Sequence, residues 1–272
     1  MKQEQPMDFL ELKHQKPEYA NWVSVWIPLS GSLATLLLAG AAALCAKSSA
    51  LAAWLLTVAT LLAFAFTFYM LRARTALSYT GGGVQGKVLD DVLRTLDQAG
   101  FDGHGKLLDI GCGSGAMSIK AAKKYPRALI TGMDYWGAGW DYSQKLCEHN
   151  AQVEKVASRI TFRKGDAAKL DFMDNTFDAA VSNFVFHEVR SQKDKHALVL
   201  EALRVVKPGG CFAFQDIFFA KSHYGDISAF VEALRPYVSE IYFVDTRHPD
   251  YAPKFLSSPI ILGQMGMIYG RK

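Results

Sequence analysis

The stretch Lys106-Leu107-Leu108-Asp109-Ile110-Gly111-Cys112-Gly113-Ser114-Gly115-Ala116 decides how this chain is read. An apolar run closes on an acid, and a glycine-rich turn follows at once. Residues 117–124 then carry apolar side chains at helical spacing, so the pattern is strand, turn, helix. Such a unit brings bare backbone to a polar ligand at the mouth of a parallel sheet. Gly111, Gly113 and Gly115 remove side chains from that approach and tolerate positive φ. The stretch implies a nucleotide-like cofactor at the carboxyl end of a first strand.

The glycines alone leave the cofactor open, because Gly111, Gly113 and Ala116 also satisfy the G-x-G-x-x-G/A spacing of a dinucleotide site. The acids separate the readings. Asp109 stands before the turn, where a carboxylate meets an ammonium group but repels a pyrophosphate. An expected second strand over 128–133 ends at Asp134, which suits the two hydroxyls of a ribose. A third, over 159–163, runs into Gly165-Asp166-Ala167, whose carboxylate suits an adenine amino group. Three acids at three successive strand ends match a cationic nucleoside better than a diphosphate. A dehydrogenase remains the third and weakest reading.

These segments resemble the class I S-adenosylmethionine-dependent methyltransferases. Asp109 to Gly115 is similar to the family's cofactor loop, Gly132-Met133-Asp134 to its ribose-binding acid, and Gly165-Asp166-Ala167 to its adenine-side acid. Leu203-Arg204-Val205-Val206-Lys207-Pro208-Gly209-Gly210 resembles the turn before the fifth strand. The resemblance runs from about Val84 onward. It implies a Rossmann-like, doubly wound α/β sheet with an antiparallel last strand, and S-adenosyl-L-methionine as cofactor. The cofactor-binding residues it implies are Asp109, Gly111, Gly113, Gly115, Asp134, Tyr135, Asp166, Ala167 and Asn183. No metal is implied, and the acceptor stays open because one fold serves many substrates.

The rest of the pattern fits an alternating sheet. Helices are expected over 84–99, 142–157, 193–206 and 226–238, and strands over 177–182, 211–217, 241–244 and 260–269. Strands alternating with helices imply a mostly parallel sheet covered on both faces. The formal net charge is only +4, so nothing calls for nucleic acid as a partner. Four cysteines without C-x-x-C pairing read as reduced thiols.

The first third of the chain is different material. Residues 21–46 carry no charge, and neither do residues 48–71. Each run is longer than the roughly 20 residues that cross a bilayer's hydrocarbon core. A cleaved signal peptide fits poorly, because the apolar run begins late and a second one follows. The competing reading is a pair of buried helices in a soluble protein. Lys13, His14 and Lys16 precede the runs, Arg72 and Arg74 follow them, and only Lys47 lies between, which places both flanks in the cytoplasm. Pro28 and Gly31 are expected to kink the first span. The organisation expected is a cytoplasmic tail over 1–20, a transmembrane hairpin over 21–75, a glycine-rich hinge over 76–83 and a methyltransferase domain over 84–272.

The acceptor chemistry is expected beyond the fourth and fifth strand ends. His187 has the residue type of a general base, with an unperturbed pKa near neutrality. A purely structural histidine is an equally open reading. Asn183 lacks the Pro-Pro-aromatic continuation of methylases that act on base nitrogens, which argues against a nucleic-acid acceptor. The aromatics Phe184, Phe186, Phe218, Phe219 and Tyr224 are expected to line an apolar pocket, and Tyr135, Trp136 and Trp140 to stack or pack near the adenosine. The partners expected are a lipid bilayer and a small hydrophobic acceptor: a lipid, quinone precursor, thiol, phenol or amine. The alternative is a membrane-tethered module that binds the cofactor without turnover.

Overall fold

Short apolar runs between amphipathic segments fold here as strands between helices. The computed structural model describes residues 16–79, 83–137 and 142–272. These fall into two units, one of residues 21–86 and the other of residues 16–20 with 87–272.

The first unit holds two apolar helices, α1 (Trp26–Cys45) and α2 (Ala50–Ala76), joined by a connection whose Ser49 side chain accepts the N–H of Ala52 at 3.3 Å. Pro28 lies in the first turn of α1, where its missing N–H breaks no helical bond. Pro28 at this position therefore gives no cause for a kink. Gly31 lets the two helices meet, because a Cβ there would fall on the Thr67 hydroxyl. Most large side chains of both helices, including Leu36, Leu37, Leu44, Leu61 and Leu62, are exposed. Both helices are long and apolar enough to cross a membrane.

After α3 (Val84–Gln98), whose first three residues belong to the first unit, the larger unit continues with β1 (His104–Ile110), α4 (Ala116–Lys124), β2 (Arg127–Asp134), α5 (Gln144–Val153), β3 (Ile160–Lys164), β4 (Phe177–Asn183), α6 (Lys195–Arg204), β5 (Val206–Asp216), α7 (Lys221–Tyr224), α8 (Ile227–Leu234), β6 (Glu240–Asp245) and β7 (Gly266–Arg271). The sheet order is β3-β2-β1-β4-β5-β7-β6. β1 to β5 pair in parallel, whereas β7 runs antiparallel between β5 and β6. Leu107, Leu108 and Ile110 of β1 are fully buried at its centre. Strand order reverses on either side of β1, so the crevice beyond β1 and β4 is where ligands bind in open sheets of this kind.

Two expected strand boundaries move by several residues, and the helices expected over 142–157 and 226–238 end early, at Val153 and Leu234. The Lys207-Pro208-Gly209-Gly210 turn is taken into β5 as a bulge, because β4 pairs first with Val206 and then resumes at Cys211. The final strand starts only at Gly266. Residues 258–263 turn instead, with the N–H of Gly263 bonded to the Ser258 carbonyl. Of the expected hinge, residues 80–82 lie outside the described residues, as do Trp140, Lys13, His14 and the tail over 1–15.

Candidate functional site

The glycine turn leaves β1 with three consecutive odd-numbered glycines at positive φ: Gly111 at 72°, Gly113 at 56° and Gly115 at 82°. Four of its backbone donors point back into the protein. Gly111 and Cys112 both donate to the Met133 carbonyl, at 2.7 and 3.0 Å, and Gly115 donates to Cys112. The N–H of Gly113 donates to Oδ2 of Asp134 at 2.8 Å. With these donors engaged, the turn offers little of the amide nest that holds a pyrophosphate.

The glycines divide by purpose. A Cβ on Gly111 would fall 2.2 Å from a methyl of Val185, so that glycine lets the loop after β4 close over the turn. Gly115 is similarly hemmed in by Phe162 and Cys147. Gly113 alone has an open outer side, with its nearest neighbour, Tyr142, at 3.8 Å. The approach that the sequence assigned to all three is left open mainly at Gly113.

The acids lie at successive strand ends, each held differently. Asp109 is 1% exposed and accepts the Ser118 hydroxyl on Oδ2 at 2.6 Å. Burial pushes its carboxyl up to about 7, with Ser118 opposing and Asp134 adding to the rise. Asp134 accepts Gly113 on one oxygen and the Trp136 N–H on the other, at 2.8 Å each. Burial raises its pKa against those donors. Asp166 closes an Asx turn onto the Ala168 N–H at 2.8 Å and accepts the Ser191 hydroxyl at 3.1 Å. Ala167 is buried in the core cluster that also contains Met133 and Leu170.

The residues after β2 do two different things. Trp136, at a positive φ of 43°, donates its indole N–H to the Gly113 carbonyl at 3.0 Å. It pins the turn, and no spacing in the sequence marks that contact. Tyr135 is 65% exposed, its ring 5.7 Å from the Lys164 ammonium.

Across the crevice, β4 ends at Asn183, whose register partner on β5 is Gln215. The side-chain oxygens of both are buried without a hydrogen-bond donor. Asp109 pairs in register with Val181, two residues before Asn183, so Asp109 and Asn183 share one face of the sheet.

His187 follows in a short helical turn, Phe186–Glu188. Its Nδ1 lies 2.5 Å from Oδ1 of Asp216, the fully buried last residue of β5. That carboxylate fixes Nδ1 as a donor and leaves Nε2 outward, 3.5 Å from Glu188. Burial lowers the imidazole pKa, but Asp216 and Glu188 outweigh it and raise the value to about 9. The near-neutral titration expected from residue type is therefore displaced upward. Phe186, Phe218 and Tyr224 are buried in the hydrophobic core. Phe184 and Phe219 are partly buried, and Phe184 stands at a positive φ of 57°.

Known proteins agree with this architecture. Residues 108–214 match the model of a family described as a methyltransferase domain. The ubiquinone/menaquinone biosynthesis C-methyltransferase UbiE of Desulfotalea psychrophila is 34% identical over 113 residues, 42% of this chain and 42% of that enzyme. The sterol 24-C-methyltransferase of Yarrowia lipolytica is 34% identical over 112 residues, 39% of this chain and 26% of that enzyme. The chain thus spans less than half the length of these two curated relatives. Among solved structures, the phosphoethanolamine N-methyltransferase 2 of Haemonchus contortus in complex with S-adenosyl-L-methionine shares the fold. It has a TM-score of 0.51 and 16% identity, covering 67% of this chain and 52% of that one. The seven-stranded mixed sheet, its glycine turn and the match over 108–214 identify a class I S-adenosylmethionine-dependent methyltransferase domain in this chain.

Proposed function

We propose that the protein is a membrane-anchored S-adenosylmethionine-dependent methyltransferase for a small hydrophobic or membrane-partitioned acceptor. The observation that carries this reading is the turn at 111–115. The N–H groups of Gly111, Cys112 and Gly113 face inward onto Met133 and Asp134, and the mouth the turn forms is bordered by carboxylates. Such a mouth favours a cationic, hydroxyl-bearing nucleoside over a diphosphate.

The residues fit that cofactor. The Asn183 carboxamide oxygen is buried without a donor on the Asp109 face of the sheet, which suits an ammonium group. Asp134 has the lone pairs to take ribose hydroxyls beyond its two backbone donors, and Asp166 with Ala167 stands on the adenine side. When bound, S-adenosylmethionine supplies a methyl group already activated on sulfur, so the protein's task is mainly alignment. At neutral pH His187 carries a proton, and Nε2 then donates to an electron-rich acceptor atom. It accepts a proton only as pH rises through about 9.

The names of these relatives point to apolar, ring-bearing acceptors, quinones and sterols. Two exposed apolar helices suit an enzyme that meets such molecules in a bilayer. In this reading α1 and α2 both span, with Lys47 outside and residues 16–20 and 84–272 in the cytoplasm. Reporter fusions at Lys47 and after Arg74 should report opposite compartments. Agreement between the two would overturn the topology. The activity test is incubation of detergent-solubilised protein with methyl-labelled cofactor and a membrane lipid extract, followed by mass spectrometry. A labelled apolar product is expected. Tight cofactor binding without any labelled product would favour the non-catalytic sensor instead.

A further inference from the structure

The peptide just before the first apolar helix is bonded to the cofactor turn. Asn150 of α5 is fully buried, and its carboxamide pairs with the backbone of Glu18 in both directions. Oδ1 accepts the Glu18 N–H at 2.8 Å, and Nδ2 donates to the Glu18 carbonyl at 2.8 Å. The same Nδ2 donates to the Ser114 carbonyl at 3.0 Å. Two residues further along, the Ala20 N–H donates to the Ser114 hydroxyl at 3.2 Å. The Tyr19 hydroxyl donates to Glu154 at 3.1 Å.

Ser114 lies between Gly113 and Gly115, the two most conformationally free neighbours a residue can have. Its carbonyl and its hydroxyl are both held from outside the turn, by Asn150 and by the strap. We propose that residues 18–20 are a positioning strap for the cofactor turn, with Asn150 as the clamp that joins them. The clamp recognises the peptide group of residue 18 and not its side chain, so any residue with an N–H serves there and proline does not. The proposal rests on reading 111–115 as the cofactor turn.

The test uses the full-length, detergent-solubilised protein with proline placed at single positions. Glu18→Pro removes the donor to Asn150, Ala20→Pro removes the donor to Ser114, and Lys16→Pro controls for proline in an exposed segment outside these bonds. Hydrogen exchange without cofactor is measured at 113–116 and at the sheet core around Leu108 and Val181. Binding of S-adenosylhomocysteine is measured by calorimetry. Glu18→Pro and Ala20→Pro should speed exchange several-fold at 113–116 alone and weaken binding about five- to tenfold, the effect of one lost hydrogen bond. Lys16→Pro should match wild type in both. Wild-type exchange at 113–116 in both variants, or faster exchange throughout the sheet, overturns the strap. If even the wild type fails to bind S-adenosylhomocysteine, the cofactor reading fails, while the cofactor-free exchange still decides whether the strap holds the turn.

Discussion

The Nδ1 atom of His187 lies 2.5 Å from Oδ1 of Asp216, so the loop after β4 is tied to the last residue of β5 across the mouth of the crevice. Asp216 also accepts the Ile217 N–H on that oxygen at 2.7 Å. A buried carboxylate held this way orients the ring and favours its charged form.

The imidazole should accordingly titrate near 9, up from 6.5, when followed by NMR of its Cε1 proton. A folded-state pKa above the unfolded value means that the pair's stabilisation is full below about 6.5 and is lost as pH rises through about 9. Wild type should therefore lose stability relative to His187→Gln between pH 6 and pH 10. A His187 titration near 6.5 in the wild type would remove Asp216 as its determinant.

Acceptor chemistry should depend on the same ring. His187→Ala should lower turnover by roughly 10²–10⁴-fold if Nε2 handles the acceptor proton, with cofactor affinity nearly unchanged. The rate limb near pH 9 should vanish with it. Unaltered turnover in this variant would take His187 out of the acceptor site.

Asp134 serves the turn and the cofactor together. Asp134→Ala removes the acceptor for the Gly113 and Trp136 N–H groups as well as for the ribose. Calorimetry should find S-adenosylmethionine binding at least about tenfold weaker, since bonds to a charged acceptor contribute roughly 1.5–3 kcal/mol each. Equal affinity in mutant and wild type would displace Asp134 from the site.

Gly111 and Gly113 should respond differently to the same change. Gly111→Ala drives a methyl into Val185 at a φ of 72°, and should cost about 2–5 kcal/mol of stability in denaturant unfolding. Gly113→Ala meets nothing closer than 3.8 Å, so its stability cost should stay near about 1–2 kcal/mol. Cofactor affinity should fall far more than that cost explains, because the new methyl stands on the open side. Equal losses of stability in the two variants would contradict this division.

Asp109 should carry a pH signature opposite to that of an exposed acid. Its carboxyl is raised from 3.8 to about 7, so the native state holds its proton more tightly than the unfolded state between those values. Stability from this group is full below about 3.8 and is lost as pH rises through about 7. Asp109→Asn should therefore melt higher than wild type at pH 8, with the difference closing near pH 4. A pH-independent difference would rule out the buried, proton-bearing state.

The amino-acid sequence by itself determined the alternation of strands and helices, the glycine turn at 111–115, the acids at 109, 134 and 166, and the two long apolar helices. Each of these is a local signal, a periodicity or a short motif whose physics lies within a few neighbouring residues. The tertiary structure alone decided which groups meet. His187 and Asp216 are 29 residues apart, Trp136 and Gly113 are 23 apart, and Asn150 and Glu18 are 132 apart. Nothing local marks such pairs, because they form only when β2 and β4 come to rest on either side of β1, β5 beside β4, and α5 against the segment at 18–20. The same packing turned Phe186, Phe218 and Tyr224 into core, and gave Gly111 its purpose as the space that Val185 fills. Burial and neighbouring charge also set the proton affinities of His187 and Asp109, which residue type alone leaves at their ordinary values.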